Sequence, residues 1–175
     1  GDDQIAFTEW FGPRQEVRTV KVVDKGPQNF MYVANKKVDG MDGVLPDGEM
    51  QFHTDQCYYE TPSRATILFA IEIPAEGGNT KFETGREVLY GNRLMTDHIV
   101  GMDRAESDAL LEDLFQVLED PAHCYEHVWT PGDLVMWDNL CTLHARTWFD
   151  PSMSRVLRRT TVAGQAPKAA LETAA

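Results

Sequence analysis

Residues 65–73 read Ala-Thr-Ile-Leu-Phe-Ala-Ile-Glu-Ile, the most apolar strand candidate in the chain. β-Branched and aromatic side chains dominate the run, and Pro74 with the Gly77-Gly78 pair closes it, so a buried strand ending in a turn is expected. Less apolar runs lie on both sides: 17–23, 29–34 and 50–59 before it, then 124–130, 134–137, 141–144 and 155–163 after it. Pro131-Gly132-Asp133 makes a turn between two of these, and 35–48, rich in Gly and Asp, reads as a loop. Helical signals are fewer. Residues 4–11 carry apolar side chains at helical spacing and stop at Gly12-Pro13. Residues 104–119 are amphipathic, with Leu110, Leu111, Leu114, Phe115 and Leu118 in one stripe that is expected to pack on a sheet. There is no internal repeat and no strand–helix alternation, and 164–175 reads as a disordered small-residue tail. Many short strands with turn signals and one long helix point to a mainly β fold, a sandwich or barrel with helical decoration.

The chain has 175 residues, one domain's worth, and 42 % of them are hydrophobic. Sixteen Lys and Arg against twenty-eight Asp and Glu leave a net charge of −12, which argues against nucleic acid or an anionic membrane surface as partner. Cys57, Cys124 and Cys141 form no CxxC pair, so a disulfide scaffold is not expected and a reducing, cytoplasmic setting fits better. No apolar stretch is long enough to span a bilayer, and the first residues do not read as a secretory leader. The chain opens on Gly1-Asp2-Asp3-Gln4, already helix-like, so an N-terminal piece is expected to be missing.

Phosphate-loop, dinucleotide, nucleophile-elbow and zincin motifs are absent. The sharpest local signal is His53-Thr54-Asp55. In a strand, residues i and i+2 share a face, so the imidazole and the carboxylate can reach one metal ion. A third ligand has to come from elsewhere, and His144, just after Trp137-Asp138-Asn139, is the best candidate. Two His and one carboxylate on one face suit non-haem Fe(II), with positions open for substrate and O2. The other histidines compete weakly: His127 is expected to pair across strands, His123 to be exposed, and His98 to have no acidic partner at ligand spacing. Cys57 reads as a small buried hydrophobe near the site.

Phe52-His53-Thr54-Asp55, Pro62, Ile73-Pro74, Gly77-Gly78-Asn79-Thr80 and Phe82 together resemble the taurine dioxygenase family of Fe(II)- and 2-oxoglutarate-dependent oxygenases. So do residues 131–139, then Leu143-His144-Ala145-Arg146, then residues 155–161. The resemblance implies a double-stranded β-helix, the jelly-roll or cupin-like core. It implies His53, Asp55 and His144 as iron ligands, Thr80 on a carboxylate of 2-oxoglutarate, and Arg155 paired with the distal carboxylate of that cosubstrate. A planar guanidinium grips a carboxylate bidentately, and a hydroxyl adds one more hydrogen bond. Arg155, Leu157 and Arg159 share a strand face, so Arg159 points into the same cavity, where relatives contact the anionic end of the substrate. Arg158 then faces away as a solvated charge. Glu49 stands where taurine-oxidising relatives place a neutral amide, and an acid there would favour an amine on the substrate. Trp137, Phe52 and Tyr58 are candidate pocket walls.

Relatives are longer, and the resemblance implies a lid-like stretch missing between Phe82 and Glu83. The activity implied is oxidation of a small, anionic organic molecule by O2 and 2-oxoglutarate, giving succinate and CO2, by hydroxylation with or without C–S or C–O cleavage. A homo-oligomer is compatible with this. The alternative is a non-catalytic β-barrel that binds a small molecule or a metal at a vestigial site; Asp55 and the paired arginines speak against structural zinc there.

Overall fold

The computed structural model describes residues 1–18, 29–44, 48–84 and 90–166. Helix α1 spans Asp2–Glu9 and helix α2 spans Arg104–Leu118; a single 3-10 turn covers Pro121–His123. Eight strands carry the fold: β1 Met31–Ala34, β2 Met50–His53, β3 Ala65–Glu72, β4 Thr80–Thr84, β5 Cys124–His127, β6 Leu134–Asp138, β7 Thr142–Arg146 and β8 Val156–Val162. They form two antiparallel four-stranded sheets, ordered β1-β8-β3-β6 and β2-β7-β4-β5. Because the chain passes repeatedly from one sheet to the other, the two sheets are two walls of one jelly roll, mainly β with helical decoration, as the resemblance implied.

The apolar run at 65–73 becomes β3, the central strand of its sheet, flanked by β8 and β6. A strand covered on both sides has to be apolar on both, which is why it does not alternate. Met31, Val33, Leu68, Ala70, Phe82, Trp129, Trp137 and Leu157 form the main core cluster, and both sheets contribute to it. Removing a buried leucine from such a cluster costs about 2–5 kcal/mol.

Several expectations shift. The run at 50–59 is a strand only as far as His53; a turn follows, with Gln56 at φ 59°. The run at 17–23 falls mostly outside the described residues, as does most of the tail at 164–175. Helix α1 docks through polar side chains: buried Gln4 donates to the Arg158 carbonyl at 3.0 Å, and Thr8 Oγ1 lies 2.7 Å from Thr160 Oγ1. Trp10, in contrast, is 79 % exposed. The reason lies in β8, whose outward residues under the helix include Arg158 and Thr160, which ask for hydrogen bonds. Arg158 is therefore only partly solvated: its Nε donates to Gln4 Oε1 at 2.7 Å and its guanidinium lies over Phe30 and Phe69. In α2 the buried stripe narrows to Ser107, Leu111 and Phe115, with Leu110 exposed. Its partners are in the preceding segment: the Ile99 N–H donates to Ser107 Oγ, and the Arg93 guanidinium covers Phe115.

Candidate metal centre

The first ligand comes from an irregularity. On β2, Met50 lies opposite Arg146 and His53 opposite His144, so three steps on β2 match two on β7. This bulge lets both Met50 and His53 face the interior. His53 Nδ1 sits 2.9 Å from the Gln51 carbonyl. A carbonyl only accepts, so Nδ1 carries the proton and Nε2 is free for a metal.

Asp55 lies beyond the strand, in the turn, and is held there by Asn139. The Asp55 N–H donates to Asn139 Oδ1 at 3.0 Å, and Asn139 Nδ2 donates to the Asp55 and Ser63 carbonyls at 2.8 and 2.9 Å. Asn139 is fully buried. One amide side chain thus clamps the ligand turn onto the end of β6. His144 faces inward from the centre of β7, with its ring 4.2 Å from that of His53. His53 Nε2 and His144 Nε2 each lie 3.9 Å from an Asp55 oxygen. All three ligand atoms fall within 4.8 Å of one another, and all three residues are buried. Among the described residues this is the only such group of His, Cys, Asp or Glu.

The electrostatics suit a dication. Burial alone would push the Asp55 carboxyl upward, but Arg159, the two imidazoles and the Thr66 hydroxyl outweigh it and hold it well below the usual carboxylate range. Burial, together with neighbouring His53, pushes His144 down to about 3. The ligands present at neutral pH are therefore one carboxylate and a neutral His144, the protonation states a metal requires. His144 Nδ1 is buried without a hydrogen-bond partner among the described residues. Two nitrogens and one anionic oxygen, converging and desolvated, fit a 2-His-1-carboxylate iron site.

The opposite end of the cavity holds Thr80, Arg146 and Arg155. Arg155 precedes β8 and is 3 % exposed; its Nε donates to the Gly78 carbonyl at 2.8 Å. The glycines at 77 and 78 are required there. Both have positive φ, and a Cβ on Gly77 would lie 2.1 Å from the Trp148 carbonyl oxygen, while one on Gly78 would crowd Arg155. Burial, then the charge of Arg146, weakens the hold of Arg155 on its proton. Thr80, first residue of β4, accepts the Trp129 indole N–H at 2.9 Å. Its own hydroxyl proton stays available to a ligand. Val33, Met50, Leu68 and Trp137 complete a cavity of about 60 Å³.

Of the residues expected at the site, His53, Asp55, His144, Thr80, Arg155 and Arg159 all line this cavity. Arg159 Nη1 lies 2.8 and 2.9 Å from the two Asp55 oxygens, so in this state it pairs with the metal ligand while lining the cavity. Glu49 does not line it: it is exposed and borders an adjoining outer hollow of about 270 Å³ with Phe52, Lys81 and Arg93, which shares Met50, Ala145 and Arg146 with the cavity. Trp137 is a pocket wall, whereas Phe52 faces that outer hollow. Tyr58 and half-buried Cys57 border a third hollow, of about 190 Å³, beside Asn92. His98 does have an acidic neighbour, Asp97, at 2.7 Å, but both are exposed. His123 is exposed and His127 pairs across strands with Thr80. Asn139, Thr66, Arg146 and Trp129 escaped the sequence reading. Asn139 carried one signal, its place in a turn just before His144, but its partner lies 84 residues away.

The chain is similar to known proteins. The profile of the family described as "Taurine catabolism dioxygenase TauD, TfdA family" matches residues 1–82 and 83–161. The (S)-phenoxypropionate/alpha-ketoglutarate-dioxygenase of Sphingobium herbicidovorans is 25 % identical over 228 aligned residues, covering 93 % of this chain and 78 % of that enzyme. Pentalenolactone F synthase of Streptomyces avermitilis is 45 % identical over 76 residues, 43 % of this chain, so the match spans only 25 % of the synthase's length. The crystal structure of AAD-2 in complex with Mn(II) and N-oxalylglycine superposes with a TM-score of 0.74 at 25 % identity, covering 96 % of this chain and 82 % of that one.

Proposed function

Because the chain belongs to the taurine catabolism dioxygenase TauD, TfdA family, we propose that it oxidises a small, anionic organic molecule with Fe(II), 2-oxoglutarate and O2. The observation that carries this reading is the convergence of three buried ligand atoms, from His53, Asp55 and His144, within 4.8 Å.

Bound ferrous ion and 2-oxoglutarate supply the hard chemistry, oxidation of a substrate C–H bond coupled to formation of succinate and CO2. The chain's own residues bind and orient. His53 and His144 offer neutral Nε2 lone pairs, and Asp55 offers a carboxylate oxygen. Arg159 and Thr66 hold that carboxylate in one rotamer, and Asn139 holds its backbone. Arg155 receives the distal carboxylate of 2-oxoglutarate, with the Thr80 hydroxyl donating to it. Val33, Leu68 and Trp137 keep water from the reacting carbon. Arg159, on Asp55 in this state, also faces the cavity and serves an anionic substrate end. Glu49 sits outside, so a selective effect on a substrate amine would act from the cavity's rim.

The family profile matches in two stretches that meet at Phe82 and Glu83. This supports the reading that relatives carry there a segment that this chain lacks; here β4 runs unbroken across the junction. No helix of the described residues is long and apolar enough to cross a membrane. The three free thiols support a reducing, cytoplasmic setting.

Anaerobic titration with Fe(II) and 2-oxoglutarate is the test. A visible charge-transfer band is expected before O2 is admitted and substrate-dependent succinate after it, and His144→Ala should lose both. Full turnover by that variant would remove His144 from the triad.

A further inference from the structure

Trp129 does not line the metal cavity, yet it touches a residue that does. Thr80 opens β4 directly across from His127, and Trp129 follows two residues after His127. Thr80 and Trp129 are both buried, and the indole N–H donates to Thr80 Oγ1 at 2.9 Å. An indole nitrogen only donates, whereas a hydroxyl carries one proton and two lone pairs. The bond therefore takes up a lone pair of Thr80 and leaves its proton unused. Among the described residues nothing accepts that proton, and Thr80 faces the cavity with Arg155. A β-branched side chain has few staggered positions open to it, so one short bond to its oxygen is enough to choose among them.

The indole cannot follow Thr80 if the hydroxyl turns, because other contacts set its place. His127 meets it edge-on, with ring centroids 4.6 Å apart and planes at 84°. His127 Nε2 lies 3.1 Å from Asp133 Oδ2, which also accepts the Thr130 N–H at 2.8 Å. The turn that carries Asp133 is tied to β3 in the other sheet. There the Ala70 N–H donates to the Asp133 carbonyl and the Gly132 N–H to the Ala70 carbonyl, both at 2.9 Å. Trp129 also belongs to the core cluster that both sheets build. A donor braced against one sheet thus fixes a hydroxyl carried by the other.

We infer that Trp129 is a positioning residue for the cosubstrate, an inference that rests on the oxygenase reading. Its N–H holds Thr80 in the rotamer whose O–H points at the 2-oxoglutarate carboxylate, so the hydroxyl is aimed before the ligand arrives. A free hydroxyl rotor would have to be ordered on binding, at a cost in affinity. Trp129 acts through Thr80 alone.

The test loads the whole chain with Fe(II) without O2 and titrates 2-oxoglutarate against the visible charge-transfer band, which reads binding without turnover. In Trp129→Phe the 2-oxoglutarate dissociation constant should rise by about 3- to 10-fold, the range of one neutral hydrogen bond, with Fe(II) affinity within about two-fold of the parent. Thr80→Val should raise that constant too. Adding Trp129→Phe to Thr80→Val should then change it by less than about two-fold, because no hydroxyl remains to aim. Should Trp129→Phe lower the urea midpoint, 3-benzothienylalanine at position 129 makes the same comparison, since it matches the shape of tryptophan and lacks only the N–H. An unchanged dissociation constant with iron bound would overturn the role. So would an equal loss with and without the Thr80 hydroxyl, the signature of packing alone. Failure of the parent protein to bind Fe(II) would instead overturn the oxygenase reading, and the role with it.

Discussion

The two ends of the metal cavity solve opposite electrostatic problems. At the end formed by His53, Asp55 and His144, the fixed charges close on themselves: the Arg159 guanidinium offsets the Asp55 carboxylate at 2.8 Å, and His144 is neutral. At the Thr80 end, Arg155 is buried against a carbonyl oxygen, with the charge of Arg146 pressing on it. A buried cation in that position is unfavourable until an anion joins it. The difference teaches how one small cavity sorts its ligands. The triad end gathers desolvated lone pairs that suit a cation, and the arginine end leaves buried positive charge that favours an anion.

The comparison can be broken from either side. The largest effect is expected at the arginine end. Arg155→Ala should raise the 2-oxoglutarate concentration required by roughly 100-fold, corresponding to about 2–3 kcal/mol for a charge-assisted pair, while Fe(II) still binds. Steady-state kinetics with a parallel iron titration would check it, and loss of iron binding would show that the two ends are not separable. Next comes the clamp on the triad end. Asn139→Ala leaves buried Asp55 and Ser63 backbone groups without partners and should cost about 1–2 kcal/mol in urea unfolding, with iron affinity falling more than 2-oxoglutarate affinity.

The pH dependence of the apoprotein sharpens the triad end further. Asp55 and His144 both have folded-state values below their ordinary ones, so the unfolded chain binds more protons in acid. The His144 contribution is fully present above the ordinary histidine value near 6.5 and is lost as pH falls from there toward about 3, whereas the Asp55 contribution is fully present above its ordinary value of 3.8 and is lost only as pH falls below it. Urea midpoints should fall across that window, with a slope of up to about 1.4 kcal/mol per pH unit for each group, and His144→Gln should flatten its upper part. The smallest effect lies outside both ends. Burial, then Glu119 and Asp120, raises the Glu83 carboxyl to about 7, and its Oε2 is buried without a hydrogen-bond partner among the described residues. Its favourable protonated state is complete below about 4.5 and lost as pH rises through 7, so Glu83→Gln should raise the urea-unfolding free energy slightly at pH 8, by less than about 1 kcal/mol given its partial exposure.

Much of this was legible in the chain because it is local. The apolar run at 65–73 announced a central strand, and period-2 alternation put Arg155, Leu157 and Arg159 on one face of β8. The pairing of His53 with Asp55 was legible too, though for a reason only partly right: Asp55 reaches the site from a turn that Asn139 holds, not from a continuing strand. Helix α1 shows the converse. Its apolar letters suggested an oily face, and Phe7 does pack against Ala65, Ile67 and Val162, but the fully buried contacts are made by the polar pair Gln4 and Thr8, because the β8 residues beneath them carry hydroxyl and guanidinium groups.

The order of residues determined which segments extend, where they stop, and which side chains along one strand point the same way, since these depend on neighbours a few bonds apart. Only the tertiary structure decided that β7 slides against a bulged β2 until His144 meets His53, and that Arg159 settles on Asp55 instead of standing free. Those outcomes depend on registers between strands distant in the chain, and no pattern confined to one segment records the register of another.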